Sequence, residues 1–345
     1  MTLKIDGRDI SAQVKPGADK HPNCIRTVFL YFLLAGAFLF SACSPKPFRL
    51  VLLPDTQTYT RLYPEIFESQ TKWIASQADS IDFVLQQGDI TDNNVDSQWA
   101  VAVTSMSMLD GKVPYTVAPG NHDIGKNSDV RNTDLFNKYF PFAKYSAMEG
   151  FGGVFKTGEM DNSWHTFKAG GLSWLILSLE FAPRNSVLSW AGRIIEDHPR
   201  HKIIINTHAY MYSDDSRMAP PDKWTPVAYG IWKDTGDNTP NDGEQIWDKL
   251  AGKYRNVMFV FSGHVLNDGT GKLVSTGVHG NKVYQLLANY QQGVIGAVKG
   301  GNGFLRIVSL DPKGKTIDVK SYSPYLKQYK VEDDQQFTFE GVSFR

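Results

Sequence analysis

Five short apolar runs in this chain each end on residues that can bind a cation or carry a proton. Residues 48–54 (FRLVLLP) lead into Asp55-Thr56-Gln57, 82–87 (DFVLQQ) into Gly88-Asp89, and 113–118 (VPYTVA) into Gly120-Asn121-His122-Asp123. Residues 202–206 lead to His208, and 257–261 to Gly263-His264. Apolar runs of this length, rich in Val, Ile, Leu and Phe, read as strands buried on both faces. Amphipathic stretches separate them. Over 64–79, Ile66, Phe67, Trp73 and Ile74 share one helical face, and Trp99, Val103, Met106 and Leu109 recur at helical spacing. Further helices are predicted over 187–197 and 244–254, and a further strand over 172–179. Strands interleaved with helices bury their apolar faces in α/β layers. Open α/β sheets bind ligands beyond the carboxyl ends of their strands, so the five polar sets are expected on one rim. From residue 282 onward, strand-forming runs broken by Gly turns predict antiparallel sheet.

Composition narrows the chemistry. Lys+Arg and Asp+Glu number 36 each, so no excess positive charge exists to follow a nucleic-acid backbone or an anionic membrane surface. The two cysteines, Cys24 and Cys43, both precede the strand-forming body, so any metal in that body is held by oxygen and imidazole rather than thiolate. Residues 28–40 (VFLYFLLAGAFLF) are apolar and uncharged but fall short of the ~20 residues that span a bilayer. With Lys20 and Arg26 before them they fit a signal-peptide core, and Phe40-Ser41-Ala42-Cys43 resembles a bacterial lipobox. The expected organisation is a leader over 1–43, one domain over 48–325 and a short tail over 326–345. The chain is expected to be exported to the periplasm or cell envelope and tethered by lipid at Cys43, touching a membrane only through that anchor or the leader.

The ordered polar sets resemble the calcineurin-like metallophosphoesterase family, whose blocks read D-x-H, GD, GNH(D/E), a lone His and GH-x-H. Asp55, Asp89, Asn121, His122, Asp123, His208 and His264 match residue by residue. Gln57 stands where the first block usually has His, and Leu266 replaces the last His. The resemblance implies an α/β fold, a four-layer αββα sandwich of two mixed β-sheets flanked by helices. It also implies two divalent metal ions (Mn, Fe, Zn or Mg) about 3.5 Å apart that generate an attacking hydroxide. Asp89 would bridge them. Asp55 and Gln57 would complete one position, and Asn121, His208 and His264 the other. Leu266 cannot ligate, so the first position is expected to be weaker or to recruit a substitute, with His279 and Asn267 as the nearest residues of ligand type.

By the same resemblance the reaction is hydrolysis of a phosphate ester. His122, beside a ligand and Asp123, is expected to protonate the leaving oxygen, with Asp123 orienting its ring or capping a turn. Two alternatives stay open. One is a phosphodiesterase or pyrophosphatase acting on nucleotide- or glycerol-linked substrates. The other is a surface-anchored, metal-containing binding protein with reduced activity. Residues 210–242 form a polar, Trp-containing insertion after His208 that reads equally as a substrate lid or a solvated excursion. Tyr290 is read as a strand-end residue with its hydroxyl outward, and His165, His198 and His201 as structural or exposed.

Overall fold

The computed structural model describes residues 46–344. The leader, with His21, Cys24 and Cys43, lies outside the described residues. The elements are, in chain order, β1 (Phe48–Leu53), α1 (Gln57–Leu62), α2 (Pro64–Ser76), β2 (Phe83–Gln86), α3 (Asp96–Met106), β3 (Tyr115–Thr116), α4 (Asp134–Tyr139) and α5 (Phe142–Tyr145). There follow β4 (Phe151–Val154), β5 (Ser163–Ala169), β6 (Leu172–Leu179), α6 (Asn185–Asp197), β7 (Lys202–Thr207), α7 (Gly243–Ile246), β8 (Val257–Ser262), β9 (Thr270–Thr276) and β10 (Lys282–Ala288). The chain closes with β11 (Leu305–Asp311), β12 (Thr316–Ser323), β13 (Gln328–Tyr329) and β14 (Gln336–Phe339).

Two mixed sheets result. The first runs β13-β12-β11-β1-β2-β3, with β14 also pairing to β12; the second runs β4-β5-β6-β7-β8-β10-β9. In the first, β1, β2 and β3 are parallel while β11 returns antiparallel to β1. In the second, β6, β7, β8 and β10 are parallel. The expectation of antiparallel sheet from residue 282 therefore holds for β11, for β12 and for the β9 side of β10, while the other side of β10 pairs parallel with β8. Strand β10 joins the parallel set because its hairpin partner β9 takes the sheet edge.

Alternation of side chains across each strand divides the core into three apolar layers. Leu50 and Leu52 of β1 point between the sheets with Phe83, Trp174, Ile204, Phe259, Phe261 and Leu286. Val51 and Leu53 point the other way, onto Ile66, Phe67 and Ile74 of α2 and Trp99, Ala102 and Met106 of α3. On the far side Leu175, Leu177, Ile203 and Ile205 meet Val187, Leu188, Ala191 and Ile195 of α6. This is the four-layer αββα sandwich. Each large side chain buried in such a layer contributes roughly 1.5–3 kcal/mol. Pro64 opens α2, where its missing N–H costs nothing, with Glu65 beside it in the first turn. The helix predicted over 244–254 divides into α7 and a wider turn in which Gly252 N donates to Trp247 O at 2.9 Å, five residues back. Residues 336–339, within the segment set apart as a tail, pair with β12.

Candidate metal centre

Parallel pairing sends the carboxyl ends of β1, β2, β3, β7, β8 and β10 to one rim, and the loops there bring the polar sets together. Asp55, Asp89, Asn121, His208 and His264 are all buried. His208 Nε2 stands 3.2 Å from Asp89 Oδ1, 3.1 Å from Asn121 Oδ1 and 3.1 Å from His264 Nδ1. Ligand atoms of Asp89, His208 and His264 lie within 4.8 Å of one another.

Each converging atom is aimed by a second contact. His208 Nδ1 sits 2.8 Å from the Gln87 carbonyl, so that nitrogen carries the proton and Nε2 presents its lone pair. His264 Nε2 sits 2.7 Å from the Trp224 carbonyl, which leaves Nδ1 facing His208. The Asn121 amide donates to Asn127 Oδ1 at 2.8 Å, turning its oxygen inward. The backbone supplies the rest. Asp89 and His264 hold φ of 47° and 75°, the left-handed region that costs a non-glycine residue energy and gathers at functional sites. The preceding loops approach so closely that a Cβ on Gly120 would meet Asp89 N at 2.1 Å, and one on Gly263 would meet Asp55 Oδ1 at 2.3 Å. Those contacts explain why glycine precedes Asn121 and His264.

Burial makes the cluster's charges interdependent. Burial raises the Asp55 carboxyl, and despite the nearby His208 it is pushed up to about 7. Burial opposes charge on His208 too, but Asp89 and Asp55 beside it push its ring up to about 9. Burial and the His208 charge push His264 down to about 3. Asp89 is held below the usual carboxylate range because His208 and His122 outweigh its own burial. Two imidazole lone pairs, a carboxylate and an amide oxygen aimed at one point repel unless a proton or cation lies among them. The donor set therefore fits a divalent metal.

Gln57 and His122 line a cavity of about 150 Å³ with Asp89, Asn121 and His264. His122 is half-buried. Its backbone N–H donates to Asp89 Oδ1 at 2.9 Å, and its Nδ1 is 2.7 Å from the Asp92 carbonyl. Burial works against its charge, but Asp89 and Asp92 raise its pKa overall. Of the two roles expected for Asp123, the structure has the turn cap and not the orientation of His122. Its carboxylate accepts the backbone N–H groups of Ile90, Thr91 and Gly120 and the Thr91 hydroxyl, all at 2.9 Å, so it ties two rim loops together. The Asp92 carbonyl orients His122 instead.

Neither sequence-derived substitute for the missing histidine reaches the centre. His279 is exposed in the β9–β10 turn, the whole length of β10 away from the rim, roughly 23 Å of strand. Asn267 is exposed and its amide donates to Ser213 Oγ at 2.8 Å. Two residues absent from the expected set do reach it. Asn289 Nδ2 and Gln291 Nε2 donate to Asp55 Oδ2 at 3.0 and 2.9 Å. Their signal was present: β10 is an apolar run ending on polar residues, as the other rim strands are. Tyr290 between them is buried, its hydroxyl 2.6 Å from Ser321 Oγ rather than outward. The insertion contributes Trp224 and Tyr229 to the cavity wall. His165 is buried among Phe83 and Phe151, while His198 and His201 are half-buried and meet edge to face. A larger cleft of about 930 Å³, lined by Asp110–Tyr115, Lys144, Ser173 and His201, opens at the opposite rim, where the strands begin.

A four-layer αββα sandwich with this donor set at its carboxyl rim is the architecture of the metallophosphoesterase fold. The chain belongs to the calcineurin-like phosphoesterase family, whose family model matches residues 48–268. It is 30% identical over 295 residues to the uncharacterized protein YvnB of Bacillus subtilis (strain 168), a match covering 84% of this chain and 21% of that one. It is 27% identical over 186 residues to a probable glycerophosphodiester phosphodiesterase, GpdQ, of Arcobacter nitrofigilis, covering 53% of this chain and 56% of the relative. The chain thus spans about a fifth of the first relative's length and just over half of the second's. Among solved structures it superposes on the purple acid phosphatase PPD1 of yellow lupin (Lupinus luteus) with a TM-score of 0.52 at 14% identity, over 87% of this chain and 54% of that chain.

Proposed function

We propose that this protein hydrolyses a phosphate ester at a two-metal centre, with Asp55, Gln57 and Asp89 holding one ion, Asn121, His208 and His264 with Asp89 holding the other, and His122 as general acid. The observation that carries this reading is the convergence of Asp89, Asn121, His208 and His264 on one point, with the remaining ring nitrogens already committed to backbone carbonyls. When bound, such ions screen the phosphate charge and acidify a water. His122 lines the cavity with Nδ1 held by the Asp92 carbonyl, which leaves Nε2 to face substrate. In the overall reaction the P–O bond to the leaving group breaks, the water oxygen joins phosphorus and gives up one proton to solvent, and the His122 proton caps the departing oxygen, His122 being reprotonated from solvent before the next turnover. Asp123 serves by holding the loops that carry Asp89 and His122.

A diester or pyrophosphate substrate is a second reading, supported by the relative described as a probable glycerophosphodiester phosphodiesterase. The aromatic wall of Trp224 and Tyr229 suits a substrate with a group beyond the phosphate. A binding protein with reduced activity is disfavoured by the proton donor beside the metal ligands. Export with lipid at Cys43 belongs to the proposal on the strength of residues 28–43 alone, and a fatty-acid label that Cys43→Ser removes would support it.

Metal content and turnover on aryl phosphate mono- and diesters, measured together, test the centre. Asp89→Asn and His208→Ala should each lose bound metal and abolish hydrolysis. Full activity in both variants would sink the two-metal reading.

A further inference from the structure

Leu266 leaves the Asp55 side of the rim one ligand short, and the fold delivers an amide to the same place. Gln291, just past β10, is 4% exposed and shares its cavity with Gln57, Asp89 and Leu266. Its turn runs against Leu266: a Cβ on Gly293 would lie 3.1 Å from Leu266 Cδ1. Gln291 Nε2 stands 2.9 Å from Asp55 Oδ2, and its Oε1 receives the Gln57 amide in a very short contact. That relay leaves Gln57 Oε1 buried with no partner among the described residues. A buried acceptor left unpaired costs about 1–3 kcal/mol, so the relay suits the centre poorly as it stands.

A half-turn of the Gln291 amide exchanges its oxygen and nitrogen in place, with Gln57 turning alongside so that its oxygen rather than its NH2 meets the Gln291 nitrogen. The Gln291 oxygen then lies 2.9 Å from Asp55 Oδ2, a separation two oxygens tolerate when they share a cation. The edge of an octahedron with ~2.1 Å bonds is about 3.0 Å. Asn289, donating to both Asp55 Oδ2 and the Val265 carbonyl, keeps the carboxylate in position.

We infer that Gln291 supplies, through its side-chain oxygen, the ligand that position 266 lacks, so that Asp55, Gln57, Asp89 and Gln291 form an all-oxygen site for a hard divalent cation such as Mn²⁺ or Mg²⁺. The inference rests on the two-metal reading above. It makes the centre asymmetric, with both imidazoles on one ion and none on the other.

Calorimetric titration of Mn²⁺ into the metal-depleted full-length chain, with electron paramagnetic resonance of the loaded protein to detect paired ions, tests it. The parent chain should take up two equivalents of different affinity. Gln291→Ala should weaken one equivalent at least about 10- to 100-fold, leave the other unchanged and abolish the pair signal. Gln291→Glu, which keeps an oxygen and adds charge, should bind that equivalent as tightly as the parent or more so. It also keeps the test alive if the alanine variant melts early without metal. Leu266→His should rescue Gln291→Ala. Two equivalents undisturbed by Gln291→Ala, or a glutamate variant as impaired as the alanine one, would overturn this inference alone. A parent chain that binds one equivalent or none would overturn the two-metal reading and this inference with it.

Discussion

At the scale of single residues, neighbours in sequence divide the labour. His122 and Asp123 are adjacent, yet one lines the cavity and the other ties loops beneath it. His122→Ala should therefore retain metal and lose about 10²- to 10⁴-fold in turnover on substrates with poor leaving groups. A nitrophenyl ester, whose leaving oxygen needs no proton, should lose far less. Equal losses on both substrates would remove the acid role. A second residue sets a pH limit away from the centre. Burial pushes His165 down to about 4, below the ~6.5 of an unfolded chain. Between those values the unfolded chain binds a proton that the folded one refuses, so stability falls as pH drops from about 6.5 to about 4. The loss amounts to roughly 3 kcal/mol at most. His165→Phe, placed between the rings of Phe83 and Phe151, should cancel that part of the acid sensitivity. Urea denaturation of parent and variant at pH 4.5 and 7 measures the difference. Identical pH slopes would refute it.

At the scale of elements, legibility followed burial. β1, β2, β7 and β8 are enclosed along nearly their whole length, so their sequences are unbroken apolar runs that a reader can bound within a residue or two. β4 and β5 are only half-buried, and Gly152 and Gly153 interrupt the pattern with a register shift. β9 mixes exposed and buried positions at the sheet edge. These three elements escaped notice for that reason. The direction of β10 is a tertiary choice. Its side chains are buried whichever way its neighbours run, and only the sheet order makes it parallel to β8. That parallel pairing is what carries Gln291 to the rim, and no local pattern in residues 282–291 reports it. The five motif blocks, by contrast, were readable because close packing demands their glycines and metal chemistry demands their donors. The insertion is harder to read, since it reaches the centre through two aromatic side chains, Trp224 and Tyr229, and a backbone carbonyl that no side-chain pattern reports.

At the scale of the whole molecule, the last residues belong to the sandwich. β13 and β14 pair with β12, and Val342 and Phe344 enter the layer between the sheets. The fully buried Arg306 depends on the same segment, donating to the Asp334 carbonyl and Gln335 Oε1. Deleting 326–345 would remove two core side chains, Val342 and Phe344, each worth roughly 1.5–3 kcal/mol. It would also strand a buried cation. Melting should fall by on the order of 10 °C. An unchanged melting temperature would show the segment to be dispensable.

Apart from the oxygen inferred for Gln291, the donors divide along the chain. Asp55, Gln57, Asp89 and Asn121, all oxygen donors, come from the first sheet and its loops, while both imidazoles, His208 and His264, come from the second. Neither half can assemble the centre by itself. Were the chain cut between these halves, the two fragments would recognise each other partly through the cation they share, and a chelator would act on their union as well as on their chemistry.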